Sequence, residues 1–431
     1  MSTQPASSPA TPPAAARPPT MLTVLRNRDF LLLETNTFFG TLAAEILTVA
    51  VTWMIYDRTQ DPFLLGLTGL VQFLPFLCLV LLTGSVADRY SRRHIIVLCM
   101  VVEFVAILGI ALVTGTSAAE NGHDIVWPIM AFLALLGAGR AFYSPAAHAL
   151  APNLVKREEI GAAIGCSTAV WQICSIAGPA LGGLLYGISA TFAFATALVM
   201  VAIATLAPLF IRHVPQRAVG EHSMLSSLFG GVRYMKAEKI VLGATTLDLF
   251  AVLFGTTIIL LPVFARDILV AGPWELGLLR AAIGVGALLM ALFLGLYPIR
   301  RRAGQVMFAA VAIFGIGTVV FGLSSSLILS VVALALMGAS DMVSVYIREV
   351  LIQLWTPDEL RGRVSAVNAV LINASNELGA FRAGAVARVI GPVEAAVLGG
   401  VCTLAVTGLW MFWFPKLRQA DDLSGAEGAK E

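Results

Sequence analysis

Apolar residues run along this chain in stretches of roughly the 20 residues that cross a bilayer as a helix. Between Phe30 and Phe414 the charge gathers instead into short clusters, such as Asp88-Arg89-Tyr90-Ser91-Arg92-Arg93 and Ile299-Arg300-Arg301-Arg302. Twelve apolar segments result, at approximately 30–56, 63–86, 94–114, 126–150, 160–187, 190–211, 239–265, 273–298, 304–324, 327–355, 362–389 and 392–414. The pattern predicts an all-α membrane protein of twelve transmembrane helices, with the lipid bilayer as its surroundings.

An even number of spans puts both termini on one side. Of the 28 Lys and Arg residues, only Arg58 and Arg266 fall in loops opposite the termini, and five, Arg140, Arg280, Arg348, Arg382 and Arg388, fall inside segments, with Lys239 and Arg363 at segment ends on the terminal side. All others lie in the tails and alternate loops on the terminal side, which the positive-inside rule places in the cytoplasm. Residues 1–24 form an expected disordered tail; the first 20 carry six prolines and lack the basic-then-apolar order of a signal peptide. Met21 is a second candidate for the initiator. Residues 415–431 are a polar carboxyl-terminal tail.

The longest internal loop, residues 212–238, is basic and divides the chain into bundles at 25–211 and 239–414. The halves resemble each other. At a constant offset of 201, Gly137 matches Gly338, Leu150 matches Leu351, Gly178 matches Gly379 and Gly183 matches Gly384. In a second register Leu65-Gly66 matches Leu276-Gly277, and Gly84 matches Gly295. A duplicated six-helix unit joined by a cytoplasmic linker is a 6+6 parallel repeat, and such repeats enclose a binding cavity near the bilayer midplane.

Composition narrows the function. The 431 residues are 58% hydrophobic and 13% charged, with a mean hydropathy of +0.86, which excludes a water-soluble enzyme. A net charge of +2 gives no support to nucleic-acid binding. The five cysteines lie in apolar stretches without a C-x-x-C pair and read as small core residues, and the histidines are scattered, so no disulfide, metal or cofactor is expected. No G-x-x-x-x-G-K-[ST] loop is present, which removes an ATP-driven pump.

Two motifs carry chemistry. Gly84-Ser85-Val86-Ala87-Asp88-Arg89-Tyr90-Ser91-Arg92-Arg93, between segments two and three, matches G-x-x-x-D-R-x-x-R-R; its glycine permits close helix approach, and Asp88, Arg89, Arg92 and Arg93 can build a charge network that gates one face. Gly178-Pro179-Ala180-Leu181-Gly182-Gly183 in segment five predicts a kinked, closely packed helix. The first motif resembles the signature of the major facilitator superfamily, and the second resembles the G-P-x-x-G-G motif of drug exporters within it. In the second half both have decayed, with Ile299 where the aspartate would be. The start Leu25 to Phe30, Leu65-Gly66, and Tyr143-Ser144-Pro145-Ala146 followed by Pro152 and Glu158 resemble the subgroup holding the enterobactin exporter and related macrolide and multidrug exporters. The resemblance covers residues 25 to 414. It implies the major facilitator fold and secondary active transport of a small molecule, usually export driven by proton entry, with helices 1, 4, 7 and 10 lining the cavity.

Ionisable residues within a bilayer are costly and therefore functional suspects. The set comprises Glu34 and Glu45, Glu103, Arg140, Asp248, Arg280, Asp341, Arg348 and Glu349, and Glu377, Arg382 and Arg388. Arg140 and Asp341 occupy equivalent repeat positions, and Glu45 lies at comparable depth. Glu45, Arg140, Asp341, Asp248 and Glu34 are thus the proton-coupling and substrate candidates, with Arg348 expected to pair structurally with Glu349 or Glu377. The reading is a monomeric, proton-coupled exporter of a siderophore or drugs in the cell's cytoplasmic (inner) membrane. The alternatives are uptake or flipping of a metabolite or lysophospholipid, and a transport-inactive scaffold or sensor.

Overall fold

A computed structural model describes residues 20–115, 124–212, 224–299 and 301–420. Of the tails expected at 1–24 and 415–431, residues 1–19 and 421–431 lie outside the described residues, as do 213–223 of the linker. The disorder expected through residue 24 is corrected, because Met21–Leu25 forms a short helix that buries Val24, and Pro415–Arg418 forms another that buries Leu417. Every regular element among those described is helical. The twelve long helices are α1 (Arg28–Thr59), α2 (Pro62–Arg89), α3 (Arg92–Gly115), α4 (Val126–Leu154), α5 (Ile160–Ile188) and α6 (Ala190–Leu206) in the first half. In the second half they are α7 (Lys239–Gly255), α8 (Pro273–Leu296), α9 (Ala303–Leu323), α10 (Leu327–Trp355), α11 (Asp358–Ile390) and α12 (Pro392–Trp413). The crossing begun by α7 continues through short turns to Ile268.

Local chemistry sets the helix starts. Asn27 caps α1 by accepting from the backbone N–H of Asp29 at 3.0 Å, and Asp61 caps α2 by accepting from Phe63 N–H at 2.9 Å. Pro62, Pro273 and Pro392 each occupy a first helical position, where a missing N–H costs nothing. Eleven crossings are long and apolar enough to span a membrane. The twelfth, α11, has 33 residues but carries Glu377, Arg382 and Arg388 along its length. Leu98, Leu112, Leu289, Ile328 and Phe412 are exposed on the outside of the helix array, an arrangement suited to hydrocarbon and costly in water.

Packing repeats with a shift of six helices. α1 packs on α5 and α6, α2 on α4, and α3 on α4 and α6; correspondingly α7 packs on α11 and α12, α8 on α10, and α9 on α10 and α12. The duplicated glycines explain part of this. A Cβ on Gly137 of α4 would collide with the Gln72 carbonyl of α2, and one on Gly338 of α10 would collide with the Ile283 carbonyl of α8.

The bundles meet through α2 with α11 and α5 with α8. At the end remote from the linker these crossings are glycine to glycine: a Cβ on Gly384 would lie 3.0 Å from Gly66 Cα, and one on Gly277 3.1 Å from Gly183 Cα. Polar contacts close the same end. Arg266 pairs with Asp57 at 3.5 Å and donates to its carbonyl at 2.9 Å, Tyr56 donates to the Asp267 carboxylate, and Arg388 pairs with Asp61 at 3.4 Å.

The hydrophobic core has the matching shape. One large cluster is continuous across both bundles at the remote end, joining Ile46, Leu65 and Leu133 to Leu276, Ala383 and Ala387. Towards the linker it separates into a cluster around Phe30, Ile96 and Leu150 in the first bundle and another around Leu247, Phe308 and Ile347 in the second. A helix within the linker, Met224–Ala237, packs on the second bundle through Met235, Val241, Ile352 and Val364, and its Tyr234 hydroxyl donates to the Trp355 carbonyl. The molecule is sealed at one end and parted at the other.

Candidate functional site

A cavity of about 960 Å³ occupies the parted region. It runs from Glu45, Gln72 and Glu377 at mid-depth to Pro152 and Ile160 at the linker-side helix ends. Its walls come from α1 to α5 and from Asn373 and Glu377 of α11. The expectation that helices 1, 4, 7 and 10 line it holds for α1 and α4; among the described residues no lining residue belongs to α7 or α10. Instead α11, the helix richest in charge, supplies the facing wall.

Arg140 is the hub. Its guanidinium donates to Gln72 Oε1 at 3.3 Å and stands within electrostatic reach of Glu45 of α1, Glu103 of α3 and Glu377 of α11. None of the three is in direct ion-pair contact with it among the described residues. Glu45 also faces Arg280 of α8. The exporter-like motif fixes this corner: a Cβ on Gly178 would sit 2.5 Å from Glu45 Cβ, one on Gly182 3.1 Å from Ile46 Cα, and Gly183 meets α8 as described. The glycine face of α5 thus seats the backbone carrying Glu45.

Glu34 lies eleven residues before Glu45, three helical turns towards the linker on the same face of α1. It accepts a hydrogen bond from the Ser167 hydroxyl and borders the same cavity. Tyr143 stands within electrostatic reach of Glu34 and Glu103 and donates to Asn36 Oδ1 at 2.8 Å.

Asp341 and Asp248 are elsewhere. Asp248 of α7 pairs with Arg348 of α10, both buried, and accepts from Ser344 Oγ at 3.4 Å. Asp341 shares this cluster, within reach of Asp248 and Arg348. Asp341, Ser344 and Arg348 follow i, i+3, i+7 spacing and so share one face of α10. The expected partners of Arg348 are corrected: Glu349 accepts instead from Asn368 Nδ2 at 2.9 Å, and Glu377 borders the cavity. Glu103 and Glu377 were not among the site candidates, although both stood out as charges within apolar segments.

In the first motif Arg92 donates to the Ala149 carbonyl at 2.9 Å and Arg93 donates to the Leu209 carbonyl, so both bind the linker-side ends of neighbouring helices. The side chains of Gly84, Asp88 and Arg89 lie outside the described residues. Of the cysteines, Cys99, Cys166 and Cys174 are buried, whereas Cys78 is exposed.

Comparison with known proteins agrees with this architecture. The family model described as a transmembrane secretion effector matches residues 19–428. The enterobactin exporter EntS of Shigella boydii serotype 4 (strain Sb227) is 27% identical over 395 residues, covering 89% of this chain and 91% of that protein. EntS of Escherichia coli O139:H28 (strain E24377A / ETEC) has the same identity and coverage, 27% over 395 residues. Among solved structures, a mutant of the nucleoside transporter NupG superposes with a TM-score of 0.71 at 14% identity, covering 90% of this chain and 100% of that one. A bacterial homologue of the iron transporter ferroportin in an inward-facing state gives 0.69 at 14% identity, covering 92% and 99%. The D-xylose–proton symporter gives 0.70 at 12% identity with coverages of 92% and 99%. The chain is therefore a multi-pass membrane transporter of small molecules, not an enzyme, and belongs to the transmembrane secretion effector family of the major facilitator superfamily.

Proposed function

We propose that this protein is a proton-coupled exporter working by alternating access in the cell's cytoplasmic membrane, with residues 25–211 and 239–414 as its two moving bundles. Both termini and the 212–238 linker are cytoplasmic in this reading, by the distribution of Lys and Arg, so the cavity opens inward. The supporting observation is Arg140 facing Glu45, Glu103 and Glu377 from three different helices in a cavity closed at its outer end.

The mechanism follows from charge balance. An arginine shared among carboxylates lowers the cost of ionising them, and a substrate that draws on the same carboxylates changes that balance. Protons and substrate then compete for one site, which links their opposite fluxes. One proton crossing 100 mV releases about 2.3 kcal/mol, enough for a roughly fiftyfold gradient of substrate. The likeness to enterobactin exporters supports export over uptake.

Two sites compete for the coupling role, because Asp248 and Asp341 likewise share one arginine. Comparing proton-driven transport with counterflow in Glu45→Gln and Asp341→Asn separates them. We expect Glu45→Gln to exchange substrate without concentrating it. If Glu45→Gln still concentrates substrate and Asp341→Asn does not, coupling belongs to the second bundle. Asp88 and its neighbouring arginines serve as the inner gate, so Asp88→Asn should slow transport severely while leaving binding intact.

A further inference from the structure

The cavity contains more negative than positive groups. Glu34, Glu45, Glu103 and Glu377 border it, against Arg140 and the side chain of His148, whose Nδ1 lies 2.8 Å from the Ser144 carbonyl. Adding Arg280, which stands beside Glu45, still leaves carboxylates in excess of arginines.

The excess is localised. Arg140 and Arg280 serve the deep group of Glu45, Glu103 and Glu377. No Lys or Arg among the described residues is in ion-pair contact with Glu34. Glu34 is 4% exposed and Glu103 6% exposed, so each is more than nine-tenths buried. Ser167 satisfies Oε1 of Glu34, but among the described residues Oε2 has no hydrogen-bond partner, and neither has Oε1 of Glu103. Tyr143 is within electrostatic reach of both charges and borders the same cavity, which puts the two carboxylates in one region of it. A buried carboxylate oxygen without a donor is costly, and a ligand that brings an N–H donor removes the cost. The same cavity is also bordered by Phe73, Phe76, Met100 and Trp171, which give it an apolar and aromatic wall.

We infer that the cavity selects cationic amphiphiles: a protonated amine or amidine of the substrate docks between Glu34 and Glu103, and its apolar body lies against the aromatic wall. Anionic compounds are disfavoured, because an anion placed there adds like charge in a poorly hydrated site. This rests on the cavity being the transport site and narrows its substrate class. It departs from a literal transfer of the relatives' substrate.

The test uses three dansyl probes with one fluorophore and similar spacers. Dansylcadaverine ends in an ammonium, N-hexyl dansylamide is uncharged, and N-dansyl-6-aminohexanoate ends in a carboxylate. Fluorescence anisotropy with the purified full-length protein in lipid nanodiscs, corrected for empty nanodiscs, measures binding without requiring transport. The cationic probe should bind at least tenfold more tightly than the other two, since a hydrogen bond to a charged partner supplies that ratio. Glu34→Gln and Glu103→Gln should each remove most of the preference.

Equal or tighter binding of the anionic or neutral probe, binding of none of the three, or wild-type preference in both glutamine variants would overturn the inference. Proteoliposomes with an imposed proton gradient then separate the two claims. Cation-selective binding without proton-driven movement of the probe removes the transport reading and leaves the selectivity standing.

Discussion

Single residues here divide into those that hold the second bundle together and those that face the cavity. The Asp248–Arg348 pair belongs to the first kind, with both side chains almost fully buried. Removing one member of such a pair strands a charge, so Asp248→Ala should lower stability by about 3–5 kcal/mol. Asp248→Ala combined with Arg348→Ala should cost clearly less than the sum of the two single changes. Thermal denaturation of the purified protein measures this, and additive effects would contradict the pairing. The sequence held half of this information. The i, i+7 spacing of Asp341 and Arg348 placed them on one face of α10, but the partner on α7 is remote in sequence, so proximity suggested Glu349. Glu34 and Glu45 were legible as charges in apolar surroundings. That Glu377 faces Arg140 across the bundle interface depends on the rotation of α11, which periodicity leaves open.

At the scale of helices, the repeat found in the sequence is the packing plan. Gly66 and Gly277 matched in one register, Gly183 and Gly384 in another; only the structure shows that Gly66 meets Gly384 while Gly183 meets Gly277. Internal duplication reveals equivalent positions within each half, whereas contacts between halves follow from how the halves dock. These crossings close the end remote from the linker. Phe63 of α2 and Phe381 of α11 meet there with ring centroids 5.7 Å apart. Paired cysteines at 63 and 381, cross-linked by oxidation, should stop transport while preserving substrate binding, and reduction should restore movement. Transport at the wild-type rate with the cross-link intact would show that this end does not open.

For the whole molecule, the all-helical fold with its twelve long helices was readable from hydropathy, because a bilayer imposes a length rule on every crossing. The identity of the cavity walls was not readable. Expected from helices 1, 4, 7 and 10, the walls come mostly from the first bundle and α11, since the state of closure decides which helices face the space. Orientation is open to direct test: cysteines placed in the 212–238 linker should resist an impermeant maleimide in intact cells and react after permeabilisation, whereas Arg58→Cys should react from outside. Labelling of the linker in intact cells would reverse the topology and turn the cavity outward.

The central claim is that the carboxylates around Arg140 couple proton entry to substrate movement. Its most direct measurement is accumulation of the dansyl probes in sealed proteoliposomes when a proton gradient is imposed, with wild-type protein and Glu45→Gln compared at equal reconstitution. Wild-type protein should concentrate at least one probe against its gradient, and Glu45→Gln should equilibrate that probe without concentrating it. Gradient-independent movement by the wild type, no movement at all, or full accumulation by Glu45→Gln would contradict the account.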